Sequence, residues 1–520
     1  MTRLYIFADD SMMGRQVGTE YNLKGTAYIE REVRRLGLVP AGEGGGYFQN
    51  IPLYIYTVDS GATIAQGGAP QRYLRDFAVM PQGEGRLTLD NTPVVYGGDV
   101  SDPSAWISSD AAAGKIVVLG VPRTSNPLTR LDGASRFGRA AAIVLPVFDR
   151  LPPNAMRYLA RRSALRADDS PPAGPPVLFV SPAFADGLFG GTLDKATAGV
   201  TGAKLTGTIV THETQGPGRN VVAILPGSDP LLRGEYVALG AHNDHIGYRP
   251  GRAVDHDSVR AFNVVMRPQG EDSPNPTSVN DAQLARIRAM TDSLHRLHGV
   301  RLDSIANGAD DDGSGSVSLL EIAEAFARSP ERPKRSLLFV WHTGEEAGLY
   351  GSRHYTDHPT VPRDSIVAQL NMDMVGRGGA ADVTGETKQG QLVHGGPGYV
   401  QLVGSRRLST ELGDLIERVN VSSKLGLNFD YSQDANGHPQ NIYCRSDHYE
   451  YARYGIPIVF VTTGGHADYH QVTDEPQYID YDRMAKVATL VHDAALTVAN
   501  LDHRVVVDQP KPDPRGRCVQ

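Results

Sequence analysis

Histidines and carboxylates stand at the ends of apolar runs, and they are the residue types that bind a divalent cation beside a proton acceptor. His242 follows Tyr236-Val-Ala-Leu-Gly-Ala, and Asp244 comes two residues later. In an extended backbone, positions i and i+2 share a side, so Asp244 is placed to orient an imidazole that ligates through its other nitrogen. A loop histidine beside a solvated aspartate is the plain alternative. Asp310, Asp311 and Asp312 precede Gly-Ser-Gly at the start of a helical pattern over 314–328. Acidic N-caps are ordinary, but three adjacent carboxylates repel one another more than capping requires, and a cation would relieve them. Glu345 and Glu346 follow the strand pattern Leu337-Leu-Phe-Val-Trp. Adjacent side chains at a strand end diverge, so one can bind metal while the other handles a proton. Asp373 ends the run from Ile366 to Met372, and a charge at a buried strand end needs a partner, either metal or a basic group. In Gly464-Gly-His466-Ala-Asp-Tyr-His470 either histidine is a candidate. The glycines favour a loop over a helical His-x-x-x-His, and His470 is preferred although spacing leaves the choice near even.

Short apolar runs alternating with helical patterns predict an α/β fold, a mostly parallel sheet with helices on both faces. Ligands in such sheets gather at the carboxyl ends of the strands, where these residues converge, and a pair of divalent ions is expected. A helix is expected over 16–38. The character of 57–205 is different: short β-rich runs between Gly, Pro and Asp clusters, without a single histidine, predict a separate β-rich domain that holds no metal. The strand–helix alternation runs from 206 to about 505, and the Pro-rich tail 506–520 is expected to be loose. Two polar stretches, 249–306 and 378–442, each show one helical pattern (281–298 and 410–419) and otherwise read as loops shaping a cleft.

The balance of 51 basic against 59 acidic residues, net charge −8, offers no basic stripe for nucleic acid. No apolar run is long enough for a membrane span. The N-terminus lacks the apolar core of a signal peptide, which is expected of a cytoplasmic protein or of one whose leader has been removed. Cys444 and Cys518 are too few for a disulfide framework, and a single bridge between them is left open. There is no Gly-x-Ser-x-Gly elbow, no phosphate-binding Gly-rich loop and no His-Glu-x-x-His, and Cys444 has only His448 nearby to suggest a catalytic thiol. Oligomeric state is not specified.

Taken in order, His242-Asn-Asp244, Gly308-Ala-Asp-Asp311-Asp-Gly-Ser-Gly, Thr343-Gly-Glu345-Glu346-Ala-Gly-Leu-Tyr-Gly-Ser352, Asn371-Met-Asp373-Met-Val-Gly376, Ser446-Asp-His448 and Tyr469-His470-Gln-Val-Thr-Asp474 closely resemble the co-catalytic di-zinc exopeptidases. That family includes leucyl-type aminopeptidases, plasma glutamate carboxypeptidase and the prostate-specific membrane antigen type. Ala8-Asp-Asp-Ser-Met-Met-Gly-Arg15 and the β-rich region resemble members with an inserted protease-associated domain. The resemblance implies a three-layer peptidase domain (1–56 and 206–505) interrupted by that insert, and two zinc ions per chain. Asp311 would bridge them, His242 and Asp373 completing one site and Glu346 and His470 the other. Glu345 would be the general base, Asp244 the partner of His242, and Tyr443 a group that stabilises the tetrahedral intermediate. The expected activity is removal of N-terminal residues from peptides. Alternatives are a carboxypeptidase or dipeptidase using Arg377 or Arg445 for the substrate carboxylate, a one-zinc glutaminyl cyclase, and a receptor-like protein without catalysis. The family's habits favour secretion or a periplasmic location.

Overall fold

The computed structural model describes residues 1–520 apart from 69, 123–133, 152, 166–173, 249–252, 275 and 277. The chain divides into two units, Met1–Ile51 with Pro217–Gln520, and Pro52–Gly216. The second unit is wider than 57–205, because the strands Leu53–Val58 and Thr201–Gly216 pair with each other through Leu53 and Gly216. It therefore includes His212. Its ten-stranded sheet is built around the long antiparallel pair Gly85–Asp99 and Thr201–Gly216. Ile64, Phe77, Val94, Ile116 and Leu178 lie in one of its cores.

In the first unit a nine-stranded sheet has four parallel central strands, in spatial order Ser336–His342, Tyr236–His242, Ile366–Met372 and Ile458–Thr462. They are buried along almost their whole length, which is why their sequences are continuously apolar rather than alternating. Alternate side chains serve opposite faces. Val237, Leu239, Leu337 and Phe339 join the core that contains helices Gly315–Arg328 and Tyr481–Asn500, whereas Ala238, Leu338 and Val340 pack with Tyr355 and Tyr451. Parallel pairing brings the carboxyl ends of all four strands to one edge. Antiparallel neighbours Arg219–Leu225 and Tyr399–Val403 flank them.

Three expectations are corrected. The stretch 249–306, whose residues 249–252 lie outside those described, holds two helices rather than one: His256–Met266 as well as Asp281–His298. The first starts with polar residues and is capped by Asp255, whose side chain accepts from the Asp257 N–H. Within 378–442, Tyr399–Val403 and Asn428–Asp430 are strands of the main sheet, not loop, and too short to register as such. The tail is irregular but anchored. Cys518 is bonded to Cys444, and the Gln520 side chain donates to the Gln433 carbonyl at 2.5 Å and accepts from the Tyr443 N–H at 3.0 Å. Proline content forbids regular structure there without forbidding attachment. Among the described residues no helix is long and apolar enough to cross a membrane.

The N-terminal segment supplies one residue that the edge of the sheet depends on. Arg15 precedes helix Glu20–Arg35 and is fully buried. Its guanidinium donates to the carbonyls of Phe7, Asn243, Asn307 and Gly308 at 2.7–3.2 Å. Burial lowers its pKa to about 10 against the pull of Asp244 and Asp311, so it remains a cation at neutral pH. Replacement by leucine strands four carbonyls and removes that charge. Denaturant unfolding of Arg15→Leu is expected to show a loss of about 3–5 kcal/mol, the cost of breaking a buried charged network.

Candidate metal centre

Gly308 opens the acidic loop with φ +57°, and a Cβ there would lie 2.3 Å from the Asp311 carbonyl oxygen, so only glycine allows the turn. The three aspartates that follow are not equivalent. Asp310 accepts from the Gly376 N–H at 2.6 Å and faces His466 Nε2 at 3.2 Å. Asp312 accepts three backbone N–H groups, from His242, Gly315 and Met374, at 2.9–3.2 Å. Asp311 alone presents its two oxygens to two imidazoles: Oδ1 lies 3.1 Å from His242 Nε2, and Oδ2 lies 3.0 Å from His470 Nε2.

Asp373 Oδ1 is 3.5 Å from His242 Nε2, and Glu346 Oε2 is 3.0 Å from His470 Nε2. Donor atoms at about 2.0–2.1 Å from a tetrahedral zinc are about 3.3 Å apart, so both clusters have the size of a metal shell. His242 Nε2 and Asp311 Oδ2 are buried and make no hydrogen bond despite these neighbours, as expected of lone pairs aimed at a common centre rather than at each other. Two groups of ligand-competent side chains lie side by side, His245, Asp311, Glu346 and His470 in one and His242, Asp312 and Asp373 in the other, and Asp311 Oδ1 reaches across to His242 Nε2 at 3.1 Å. His466 Nε2 faces Asp310 Oδ2 at 3.2 Å and stands outside both groups.

The supporting contacts explain the orientation. Asp244 sits 3.6 Å from His242 Nδ1 through its carboxylate and 3.1 Å through its carbonyl, while Oδ1 accepts from the Gly344 and Glu345 N–H groups. Ser446 donates to Asp373 Oδ2 at 2.7 Å. His470 has φ +58°, a strained backbone for a non-glycine residue, and its Nδ1 is 2.9 Å from Glu271 Oε2. Glu345 and Glu346 differ sharply in acidity. Burial pushes Glu345 well above the usual carboxyl range, and although His242 opposes this, Asp373 and Glu346 reinforce it. Burial and Asp311 also push Glu346 up, yet His470 and His245 hold it down to about 2.

Two contributors escaped sequence reasoning. His245, three residues after His242, is fully buried with Nδ1 2.7 Å from Glu346 Oε1; its place in Ala-His242-Asn-Asp244-His245 was the available signal. Glu271 lies in the polar stretch, 199 positions from His470, with no local signal at all. Tyr443 is buried against His448 and Tyr449 beneath Arg407 and is not among the residues of the cleft wall. Tyr469, stacked on His470, does line it. The wall of that cleft includes Asp311, Glu345, Asp373 and His470.

Comparison with known proteins identifies the family and the fold. The model of peptidase family M28 matches residues 220–495. Leucine aminopeptidase 1 of Penicillium rubens is 28% identical over 225 residues, covering 40% of this chain and 53% of the relative. Its namesake from Coccidioides posadasii is 30% identical over 194 residues, covering 36% and 45%. The chain thus spans about half the length of these curated relatives. An aminopeptidase from Aneurinibacillus sp. strain AM-1 superposes over 98% of this chain and 96% of its own with TM-score 0.54 at 16% identity. A zinc aminopeptidase from Bacillus subtilis covers 95% and 92% with TM-score 0.51 at 17% identity. At these identities the two structures speak for a shared fold.

If Glu271 fixes the His470 tautomer and ring, Glu271→Ala is expected to weaken divalent metal binding 10- to 100-fold, the usual effect of losing such a partner. Competition with a graded chelator measures it, with circular dichroism unchanged.

Proposed function

The chain belongs to peptidase family M28, and from that premise we propose that it is a zinc-dependent aminopeptidase that removes N-terminal residues from peptides. The observation that carries the reading is the position of Asp311, with one oxygen towards His242 and the other towards His470 at nearly equal distances. In this reading Asp311 would be shared by two zinc ions, which His242 and Asp373 on one side and Glu346 and His470 on the other would hold. Bound there, the ions would acidify a shared water and polarise the peptide carbonyl. Glu345 takes the proton of the attacking water and delivers it to the leaving amine. The split acidity of the Glu345–Glu346 pair supports this division of labour: a high pKa suits a proton carrier, and a low one suits a ligand.

The choice of amino over carboxyl end rests on the cations. Arg377 is buried and paired with Asp468 and Asp382, and Arg445 is held bidentately by Asp272. Neither is free to receive a substrate carboxylate, whereas the acidic wall of the cleft suits an ammonium group. We take Pro52–Gly216 as the protease-associated domain. The Cys444–Cys518 bridge supports an oxidising compartment, so a secreted or periplasmic location.

Metal analysis is expected to find two co-catalytic zinc ions, and Asp311→Ala should deplete both; depletion of one alone would remove the bridging role and favour one-zinc chemistry such as a cyclase. Glu345→Gln should keep its zinc while turnover falls at least about 10²-fold. Acetylating a peptide's N-terminus should abolish cleavage and amidating its C-terminus should not; the reverse pattern turns the reading to carboxypeptidase.

A further inference from the structure

A second concentration of metal-competent side chains lies in the polar insertion, on helices that the proposed reaction does not use. Asp255 caps helix His256–Met266, and Asp257 sits in its first turn. His295 and His298 occupy the last turn of Asp281–His298, one helical turn apart and so on one face. The donor atoms of Asp255, Asp257 and His295 all lie within 4.8 Å of one another. His295 Nε2 is 3.1 Å from Asp255 Oδ2 and 3.9 Å from Asp257 Oδ2; His298, next to this group of three, has its Nδ1 3.6 Å from the same Asp257 oxygen and 3.3 Å from the Gly299 carbonyl, from which it would turn to bind an ion.

Asp257 makes this more than a group of acidic residues. Its side chain is wholly buried, and Oδ1 faces His256 Nδ1 at 3.0 Å. Oδ2, turned towards the two histidines, has no hydrogen-bond partner. A buried carboxylate oxygen without a donor is costly, and the nearest nitrogens stand too far away to donate well. Their separations, 3.6 and 3.9 Å, are somewhat wider than the about 3.3 Å between neighbouring ligands of one zinc and would close around an ion.

We propose that Asp255, Asp257, His295 and His298 form a third metal site, structural rather than catalytic, for a zinc-class divalent ion. Two imidazole nitrogens and two carboxylates suit zinc, and offer too few oxygens for calcium. Four protein ligands leave no open position for a reacting water. The ion would clasp the end of one insertion helix to the start of the other. Its outer shell runs onward: His256 Nε2 faces Glu475 Oε2 at 3.4 Å, and Arg301 donates to that oxygen at 2.6 Å. Asp474, next in the chain, accepts the Asp310 and Asp311 N–H groups at 3.0–3.1 Å. The clasp is thus tied to the loop that carries Asp311.

The test is the zinc content of the full, untagged chain after loading with zinc chloride and desalting. Asp257→Asn, and separately the double variant His295→Ala with His298→Ala, should each hold one ion fewer than the unaltered chain. The asparagine keeps the side-chain volume and an acceptor for His256, which guards against misfolding of the alanine variant. The Asp311→Ala chain should still take up one zinc, and should lose it when Asp257→Asn is added. These differences hold whatever the ion count at the proposed catalytic pair. Equal zinc in the unaltered chain and Asp257→Asn, or no uptake by Asp311→Ala, overturns the third site and leaves the His–Asp contacts as ordinary ion pairs.

Discussion

Burial of many carboxylates at one sheet edge is the constraint on which the first unit depends. Asp244, Asp310, Asp311, Asp312, Asp373 and Asp474 are all nearly inaccessible to water, within reach of Glu345 and Glu346. Each must find donors or remain protonated. The protein meets the demand in two ways. Asp312 and Asp474 accept two or more backbone N–H groups of the loops they join, and Asp244 Oδ1 accepts two while its Oδ2 has no hydrogen-bond partner. Asp311 and Glu346 are left with imidazoles, and Asp373 with His242 and one serine hydroxyl. The division between structural and ligating acids is therefore a division between those given amide protons and those denied them.

Arg15 completes this economy from the other side. It brings a permanent positive charge beneath the acidic loop without entering it, and spends its donors on the carbonyls of Asn243 and Gly308. Those carbonyls belong to the segments that carry His242 and Asp311. A lysine could not bind four acceptors with one rigid fork. The N-terminal segment, remote in sequence, thus sets the separation of two candidate ligands.

Legibility in the sequence followed distance along the chain. The strand ends could be read because each apolar run and its terminal acid or histidine are contiguous, as at His242 and Asp373. Choosing Asp311 from three neighbours, and His470 over His466, needed the family resemblance, since local spacing is alike for the candidates. Glu271, and the short strands Tyr399–Val403 and Asn428–Asp430, were hidden because their partners lie far away in the chain. Tyr443 is the opposite case: a position carried over by resemblance takes no account of Arg407 and Tyr449, which enclose its ring here.

The insertion 249–306 connects these themes. Glu271 contacts the His470 ring directly, and the neighbouring Asp272 neutralises Arg445 in the wall of the cleft. One short turn therefore acts on a candidate ligand and on the charge met by the substrate. Displacing that turn would release Arg445 and unseat His470 together. A lining cation freed in this way would favour carboxylates just as the metal shell loosened. In the proposed reading, selection for one end of a peptide and retention of metal would thus be coupled through the same few residues, Glu271 and Asp272, although these lie outside the sheet.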